Sequence, residues 1–227
     1  SLCFSVINTF HDTSIDLILK SLLQSDLIVM SREADQSSEF QNMIEGVLTK
    51  KCLIKIDDTR SQDQLRNKGY GEKEDNSYFL ETYEALYLIY INRLIITNRN
   101  IAEFNDLLEY VLRHDEEIVT KFLVYRDLRS RGYVVKEGFG FGADFRVYER
   151  GGYEKKLAKF VVFCVNEGIK VKVGELSKSV REIETMGKNA IAAVVERRGE
   201  VIYYKLANMK FKENKKQDAT QILEERK

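Results

Sequence analysis

The stretch from Tyr133 to Gly151 constrains the fold of this 227-residue chain more than any other part. A run of alternating valines predicts a strand, glycines follow at positions 138, 140 and 142, and a second short strand ends at Tyr148. Glycines at this spacing remove side chains from a loop, so another backbone or a polyanion can approach closely. The segment therefore predicts a strand-rich unit with one unusually open surface.

The second strand of this stretch carries a phenol between two guanidinium groups, in the order Arg146, Tyr148, Arg150. Guanidinium groups suit contact with phosphate, and a phenol that can be deprotonated suits proton abstraction. The three residues are candidates for binding or chemistry on a phosphate ester.

Periodicity predicts an α+β fold in two parts. The first part combines helices with short strands. Residues 31–48 predict a loop and a short helix, and residues 59–77 predict a polar loop with a turn. The remaining elements predicted in this part are two strands (52–56 and 94–97) and three helices (78–90, 101–113 and 115–131). The second part is a compact mixed sheet with one flanking helix: strands 133–136, 143–149, 158–165, 190–196 and 200–206, and helix 175–186.

Composition excludes several classes of protein. The 36 basic and 36 acidic side chains balance, so any polyanion site must be a local patch. The three cysteines are odd in number and far apart, which argues for reduced thiols in a cytoplasmic protein and against a zinc site or disulfide framework. No apolar run approaches 18 residues, so no membrane span is predicted.

A family resemblance covers roughly residues 48–206, in order along the chain. It is carried by LRNKGYGEKEDNSYFLETYEALYLIY (65–90), FLVYRDLRSRGYVV (122–135), GYVVKEGFGFGADFRVYERG (132–151) and SVREIETMGKNAIAAVVERRGEVIYY (179–204). These segments resemble the archaeal tRNA-splicing endonucleases. The resemblance implies an N-terminal domain at 48–131 and a catalytic nuclease domain at 132–209. Residues 1–47 are interpreted as the remnant of a degenerate N-terminal unit and 210–227 as a charged tail.

In that family a Tyr, a His and a Lys cleave RNA without a metal or cofactor, leaving a 2′,3′-cyclic phosphate and a 5′-hydroxyl. The resemblance assigns the Tyr to Tyr148 and the Lys to Lys188, while Leu157 stands where the family has its His. An unperturbed phenol has a pKa of about 10, so a base at position 148 needs neighbouring cations. Loss of the general acid predicts low activity, since such groups contribute about 10²–10⁴-fold.

Each of these residues also has an ordinary structural interpretation. Tyr148 fits a strand tyrosine, and Lys188, after the predicted helix-ending Gly187, fits a cation that neutralises a helix C-terminus. The resemblance implies that Arg181 stacks on a base of the RNA, whereas a surface salt bridge with Glu184 or Glu182 is its ordinary structural interpretation.

The resemblance implies that the partner is precursor tRNA, recognised at a bulge-helix-bulge, with neither DNA nor a membrane involved. Two cuts on one RNA imply a symmetric homodimer, with a second subunit as the other arrangement. In the family an acidic loop enters a pocket of the partner, and Glu167 is the candidate for that contact. A non-catalytic RNA-binding or structural subunit is the rival interpretation, and it accounts for Leu157 directly.

Overall fold

The structure is a computed structural model that describes residues 43–99, 101, 103–149, 151, 153 and 157–209. The interpretation of residues 1–47 as a remnant concerns a segment that, up to residue 42, lies outside the described residues, and so does the predicted charged tail from residue 210. The fold is α+β, as predicted, with two mixed five-stranded sheets.

The N-terminal sheet has the strand order β3-β4-β2-β1-β5, in which only β1 and β5 are parallel. Its strands and the helices that accompany it are β1 (Ile44–Leu48), β2 (Ile54–Ile56), α1 (Thr59–Asn67), β3 (Glu72–Glu74), β4 (Ser77–Leu80), α2 (Thr82–Tyr90), β5 (Leu94–Ile96), α3 (Phe104–Leu112) and α4 (Ile118–Ser130).

The C-terminal sheet has the order β10-β9-β8-β7-β6, in which only β8 and β9 are parallel. Its elements are β6 (Val134–Gly140), β7 (Ala143–Tyr148), β8 (Phe160–Asn166), α5 (Val173–Thr185), β9 (Asn189–Val195) and β10 (Val201–Leu206). A tight turn at Arg198 and Gly199 joins β9 to β10: Gly199 has φ +79° and the Glu196 N–H donates to the Glu200 carbonyl at 2.9 Å.

The sequence prediction was wrong in three places in the first half of the chain. Residues 44–48 form a strand with alternating burial, and the polar segment 59–77 contains helix α1 and strand β3. The helix predicted from residue 78 begins only at Thr82, because Tyr78 and Leu80 alternate inward as strand β4. A capping box between Glu81 and Glu84 then starts helix α2.

Two apolar clusters hold the C-terminal sheet between helices. The larger cluster joins the N-terminal sheet, helices α2 to α4 and one face of the C-terminal sheet, where Phe145 and Val147 of β7 are buried. The smaller cluster packs Val180 and Ile183 of α5 on the opposite face, against Val161 of β8. Burial on both faces fixes the register of the strands, because a slip by one residue would turn every side chain to the wrong face.

Candidate active site

One end of the C-terminal sheet brings together Tyr148 and Lys188, two of the residues predicted from the sequence. Val147 of β7 pairs with Phe160 of β8, and Phe160 pairs with Asn189 of β9. The next position along each strand, toward the end of the sheet, is therefore Tyr148, Lys159 and Lys188. Adjacent strands lie about 4.8 Å apart, so the backbones of Tyr148 and Lys188 are separated by roughly 10 Å.

Backbone hydrogen bonds continue the pairing to this last row. The Lys159 N–H donates to the Val147 carbonyl and the Asn189 N–H donates to the Lys159 carbonyl, each at 3.1 Å. We call Tyr148, Lys159 and Lys188 the terminal row. Side chains from all three strands emerge there from a hydrogen-bonded framework, which is the kind of support that a precise site requires.

The end of helix α5 fixes the position of the Lys188 backbone. Gly187 has φ +70°, its N–H donates to the Glu184 carbonyl at 2.9 Å, and the Lys188 N–H donates to the Ile183 carbonyl at 3.2 Å. This is a Schellman motif, so the predicted C-terminal role of Gly187 is confirmed. The Lys188 Nζ donates to the Ala158 carbonyl at 2.9 Å, which brings the ammonium next to position 157.

Position 157 lies just before β8, and the Leu157 side chain is 86% exposed while Ala158 is buried. An aliphatic side chain here neither packs into the core nor carries a proton that it could donate. The surroundings of position 157 would therefore accept a polar side chain.

Tyr148 is half-buried, and its ring meets the ring of Tyr153 edge to face, with centroids 5.4 Å apart and an interplanar angle of 84°. Edge-to-face contact is a favoured arrangement for two aromatic rings and restricts their rotation. Tyr153 was not identified from the sequence.

The two candidate arginines that the structure describes, Arg146 and Arg181, do not share one location. The Arg146 Nε donates to the Glu137 carbonyl at 2.6 Å and its Nη2 lies 3.4 Å from Glu72 Oε1, so the guanidinium points across β6 toward the N-terminal sheet. Arg181 is exposed on α5, and no ion pair to it is found among the described residues. Arg150 lies outside the described residues.

The glycines of the Tyr133–Gly151 stretch serve the hairpin itself. A Cβ at Gly138 would collide with the carbonyl oxygen of Ala143 across the β6–β7 hairpin. Phe141 and Gly142 have φ of +58° and +72°, as in a two-residue turn between strands. The sequence predicted that these glycines admit either another backbone or a polyanion. The structure contains the first of these, because the backbone of β7 closely approaches Gly138.

The surface beside the glycines does not suit a polyanion. A cavity of about 380 Å³ lies between α2, the residues around the start of α4, and the β6–β7 hairpin. Its charged lining residues are Glu81, Asp115, Glu137, Asp144 and Lys121, and we call it the acidic cavity. Burial, and then the nearby Glu137 carboxylate, raises the pKa of Glu81 to about 7. Burial also raises the pKa of Asp144. The carboxylates of this cavity were not anticipated from the sequence.

Two further observations concern ligands and membranes. Within the described part of the chain, no three His, Cys, Asp or Glu side chains are grouped so that they could hold a metal ion. None of the described helices is long and apolar enough to cross a membrane.

The fold and the terminal row define a two-sheet α+β protein with a phenol and an ammonium at one end of its second sheet. Comparison with known families identifies the class. Residues 44–108 match the tRNA intron endonuclease N-terminal domain, and residues 118–203 match the tRNA intron endonuclease catalytic C-terminal domain. The chain belongs to the tRNA intron endonuclease family, and the resemblance stated from the sequence is confirmed.

Curated relatives carry the same family assignment. The chain is 34% identical to the tRNA-splicing endonuclease of Methanococcus vannielii over 159 residues, which is 69% of this chain and 90% of the relative. It is 34% identical to the tRNA-splicing endonucleases of Thermococcus onnurineus over 151 residues, covering 66% and 87% of the two chains, and Pyrococcus furiosus over 146 residues, covering 64% and 84%.

Proposed function

We propose that this chain is an endonuclease that cleaves precursor tRNA at its exon–intron junctions, at a bulge-helix-bulge. The observation that carries the proposal is the terminal row, where Tyr148 of β7 and Lys188 at the start of β9 lie on either side of β8, beside position 157. The relatives named above are tRNA-splicing endonucleases, which supports the same substrate for this chain.

The proposed reaction is an attack by the RNA 2′-hydroxyl on the adjacent phosphate. The Tyr148 phenolate accepts the proton of the 2′-hydroxyl, and the Lys188 ammonium stabilises the charge that builds on the phosphate oxygens. The bond to the 5′-oxygen then breaks, leaving a 2′,3′-cyclic phosphate and, after protonation, a 5′-hydroxyl. The tight anchoring of Lys188 by its Schellman motif and by the Ala158 carbonyl supports a fixed position for that charge.

The protonation of the leaving 5′-oxygen is the weak step of this proposal. Leu157 carries no transferable proton, so water has to supply it, and we propose a rate about 10²–10⁴-fold below that of a chain with histidine there. Because the Leu157 side chain is exposed, a leucine in place of histidine at this position removes the proton donor without disturbing the core. Arg181, exposed on α5, is proposed to stack on a base of the RNA, a contact of about 1–3 kcal/mol.

We further propose that the working species is a symmetric homodimer. The Glu167 carboxylate, predicted from the sequence as an acidic contact, is paired with Arg197 Nε at 2.9 Å. The β9–β10 turn instead presents two exposed arginines, and the Arg197 side chain is 92% exposed. The β9–β10 turn lies at the same end of the sheet as the β6–β7 turn, and the terminal row lies at the opposite end. The positive charge of the two arginines complements the negative charge of the acidic cavity.

Geometry favours exchange between two copies. The β9–β10 turn is separated from β7 by two to three strand spacings, or roughly 10–14 Å, so the arginines are proposed to enter the acidic cavity of a second copy. A two-fold axis then makes two such contacts and holds two terminal rows at a fixed separation, as two cuts on one RNA require. The polarity of this contact is the reverse of that implied by the resemblance.

The test compares the chain with its Leu157→His and Leu157→Gln variants on intron-containing precursor tRNA under single-turnover conditions. The expected result is correct cleavage at both junctions by the histidine variant, about 10²–10⁴-fold faster than by the unchanged chain or the glutamine variant. Glutamine is the matched control, because it is polar but does not titrate. All three are expected to bind the RNA equally.

A non-catalytic RNA-binding subunit is the second candidate, and Leu157 is the observation that favours it. It predicts that the Leu157→His variant binds precursor tRNA without cutting it, even at high protein concentration. Cleavage that appears only when a second, histidine-containing subunit is added would establish this candidate and overturn the first.

A further inference from the structure

Lys159 lies in the centre of the terminal row. Its backbone is hydrogen-bonded on both sides, to Val147 of β7 and to Asn189 of β9, so it stands between Tyr148 and Lys188. Side chains two residues apart in an extended chain emerge on the same side. Lys159 therefore shares a side with position 157, which lies two residues earlier.

The ammonium of Lys159 is held at the edge of the site by a carboxylate. Its Nζ lies 2.5 Å from Glu149 Oε1, and the two side chains are 53% and 47% exposed. The hydrogen bond and charge of Glu149 raise the pKa of Lys159, so the side chain remains a cation at neutral pH and does not replace the missing general acid.

An exposed ion pair of this kind is weak. Such pairs typically contribute about 0–1 kcal/mol, because water screens the charges and two long side chains must be ordered. A phosphate oxygen that arrives at the terminal row can therefore replace the Glu149 carboxylate at little cost. Within the row, Lys159 is the cation that stands between the proposed base and the proposed charge-stabilising lysine.

We propose that Lys159 is a substrate-binding residue that contacts an RNA phosphate at or next to the scissile bond, and that Glu149 competes with the RNA for it. The proposal rests on the proposed function, since it assigns a further contact to the same substrate. Lys159 supplies charge to bind and orient the backbone, while Tyr148 and Lys188 keep the roles given above.

The test is the salt dependence of binding of intron-containing precursor tRNA to the full chain. Removing one phosphate contact makes the plot of log K against log[salt] less steep by about 0.7–0.9. Lys159→Gln is expected to lower the slope by that amount and to weaken binding roughly five- to tenfold at 0.1 M salt. Lys159→Arg should keep the slope, and Glu149→Gln should tighten binding because it frees the ammonium.

Lys172→Gln is the matched control. Lys172 also pairs with an exposed carboxylate, Glu175 at 3.3 Å, but it lies at the opposite end of the sheet, before α5. Its removal should leave the slope unchanged. If the unchanged chain binds the RNA and Lys159→Gln leaves its slope intact, or if Glu149→Gln weakens binding, the assignment of Lys159 is overturned. Failure of the unchanged chain to prefer precursor over mature tRNA would instead contradict the proposed function.

Discussion

Replacing Glu81 by glutamine should stabilise the folded chain at pH 8 and leave its stability at pH 4 unchanged. Glu81 lines the acidic cavity, where burial and the Glu137 carboxylate raise its pKa to about 7 from an ordinary 4.5. Because the folded state has the higher pKa, it binds the proton more tightly than the unfolded chain does. The ionised carboxylate therefore destabilises the fold, progressively between pH 4.5 and 7 and fully above pH 7.

The size of the effect follows from the shift. A rise from 4.5 to about 7 corresponds to roughly 3 kcal/mol, and partial exposure of the side chain lowers the expected gain to about 1–3 kcal/mol. Glutamine keeps a side-chain oxygen for the capping box at the start of α2, so the helix should still form.

The measurement is urea unfolding of the unchanged and Glu81→Gln chains from pH 4 to 8. Both chains also carry Arg197→Ser and Arg198→Ser, so that no arginine of the β9–β10 turn of a second copy supplies a cation to the acidic cavity. Glu116→Gln, an exposed carboxylate outside the acidic cavity, is the control and should not alter the pH dependence. Parallel stability curves for the unchanged and Glu81→Gln chains would refute the raised pKa.

The other predictions concern the hairpin, the contact between the sheets and the dimer. Gly138→Ala should lower the free energy of unfolding by about 1–3 kcal/mol, because the added Cβ would collide with the Ala143 carbonyl. The measurement is urea unfolding, and the control is Gly174→Ala, where the added Cβ meets open space. Lys136→Met should lower the free energy of unfolding by about 1–3 kcal/mol in the same assay, because the buried Lys136 ammonium donates to the Gly71 carbonyl. An unchanged free energy of unfolding would contradict that contact. Arg197→Glu should shift the chain from dimer to monomer in sedimentation, and Arg113→Glu, at the exposed end of α3, should not; an unchanged dimer would exclude the proposed contact.

The sequence predicted the second half of the chain well, because β8 and β9 are apolar runs and glycines mark the β6–β7 and β9–β10 turns. The alternation that reaches Tyr148 and the Gly187 turn before Lys188 are local signals, and both are present in the structure. Strand β4 was mistaken for helix because Tyr78 and Leu80 are followed directly by the helical apolar residues of α2. Four residues are too few for periodicity to separate a strand from a helix that follows it.

The site was predictable where it depends on position along a strand and unpredictable where it depends on partners distant in sequence. Lys159 could have been found from its spacing to position 157, since the period of two is visible in the sequence. The orientation of the Arg146 side chain could not have been predicted, because it depends on a contact with Glu72, which lies 74 residues away in the N-terminal sheet. The acidic cavity likewise combines residues of the two halves of the chain, which only the folded structure brings together.

The most direct test of the central claim is whether Tyr148, Lys188 and a histidine at position 157 act as one unit. Tyr148→Phe and Lys188→Gln are each combined with Leu157→His, and single-turnover cleavage of precursor tRNA is measured together with the chemistry of the ends. Residues that act together are strongly non-additive, so either substitution should remove most of the histidine variant's gain. The remaining products should carry a 2′,3′-cyclic phosphate and a 5′-hydroxyl. Cleavage by the Tyr148→Phe combination as fast as by Leu157→His alone, or 3′-hydroxyl ends, would contradict the account.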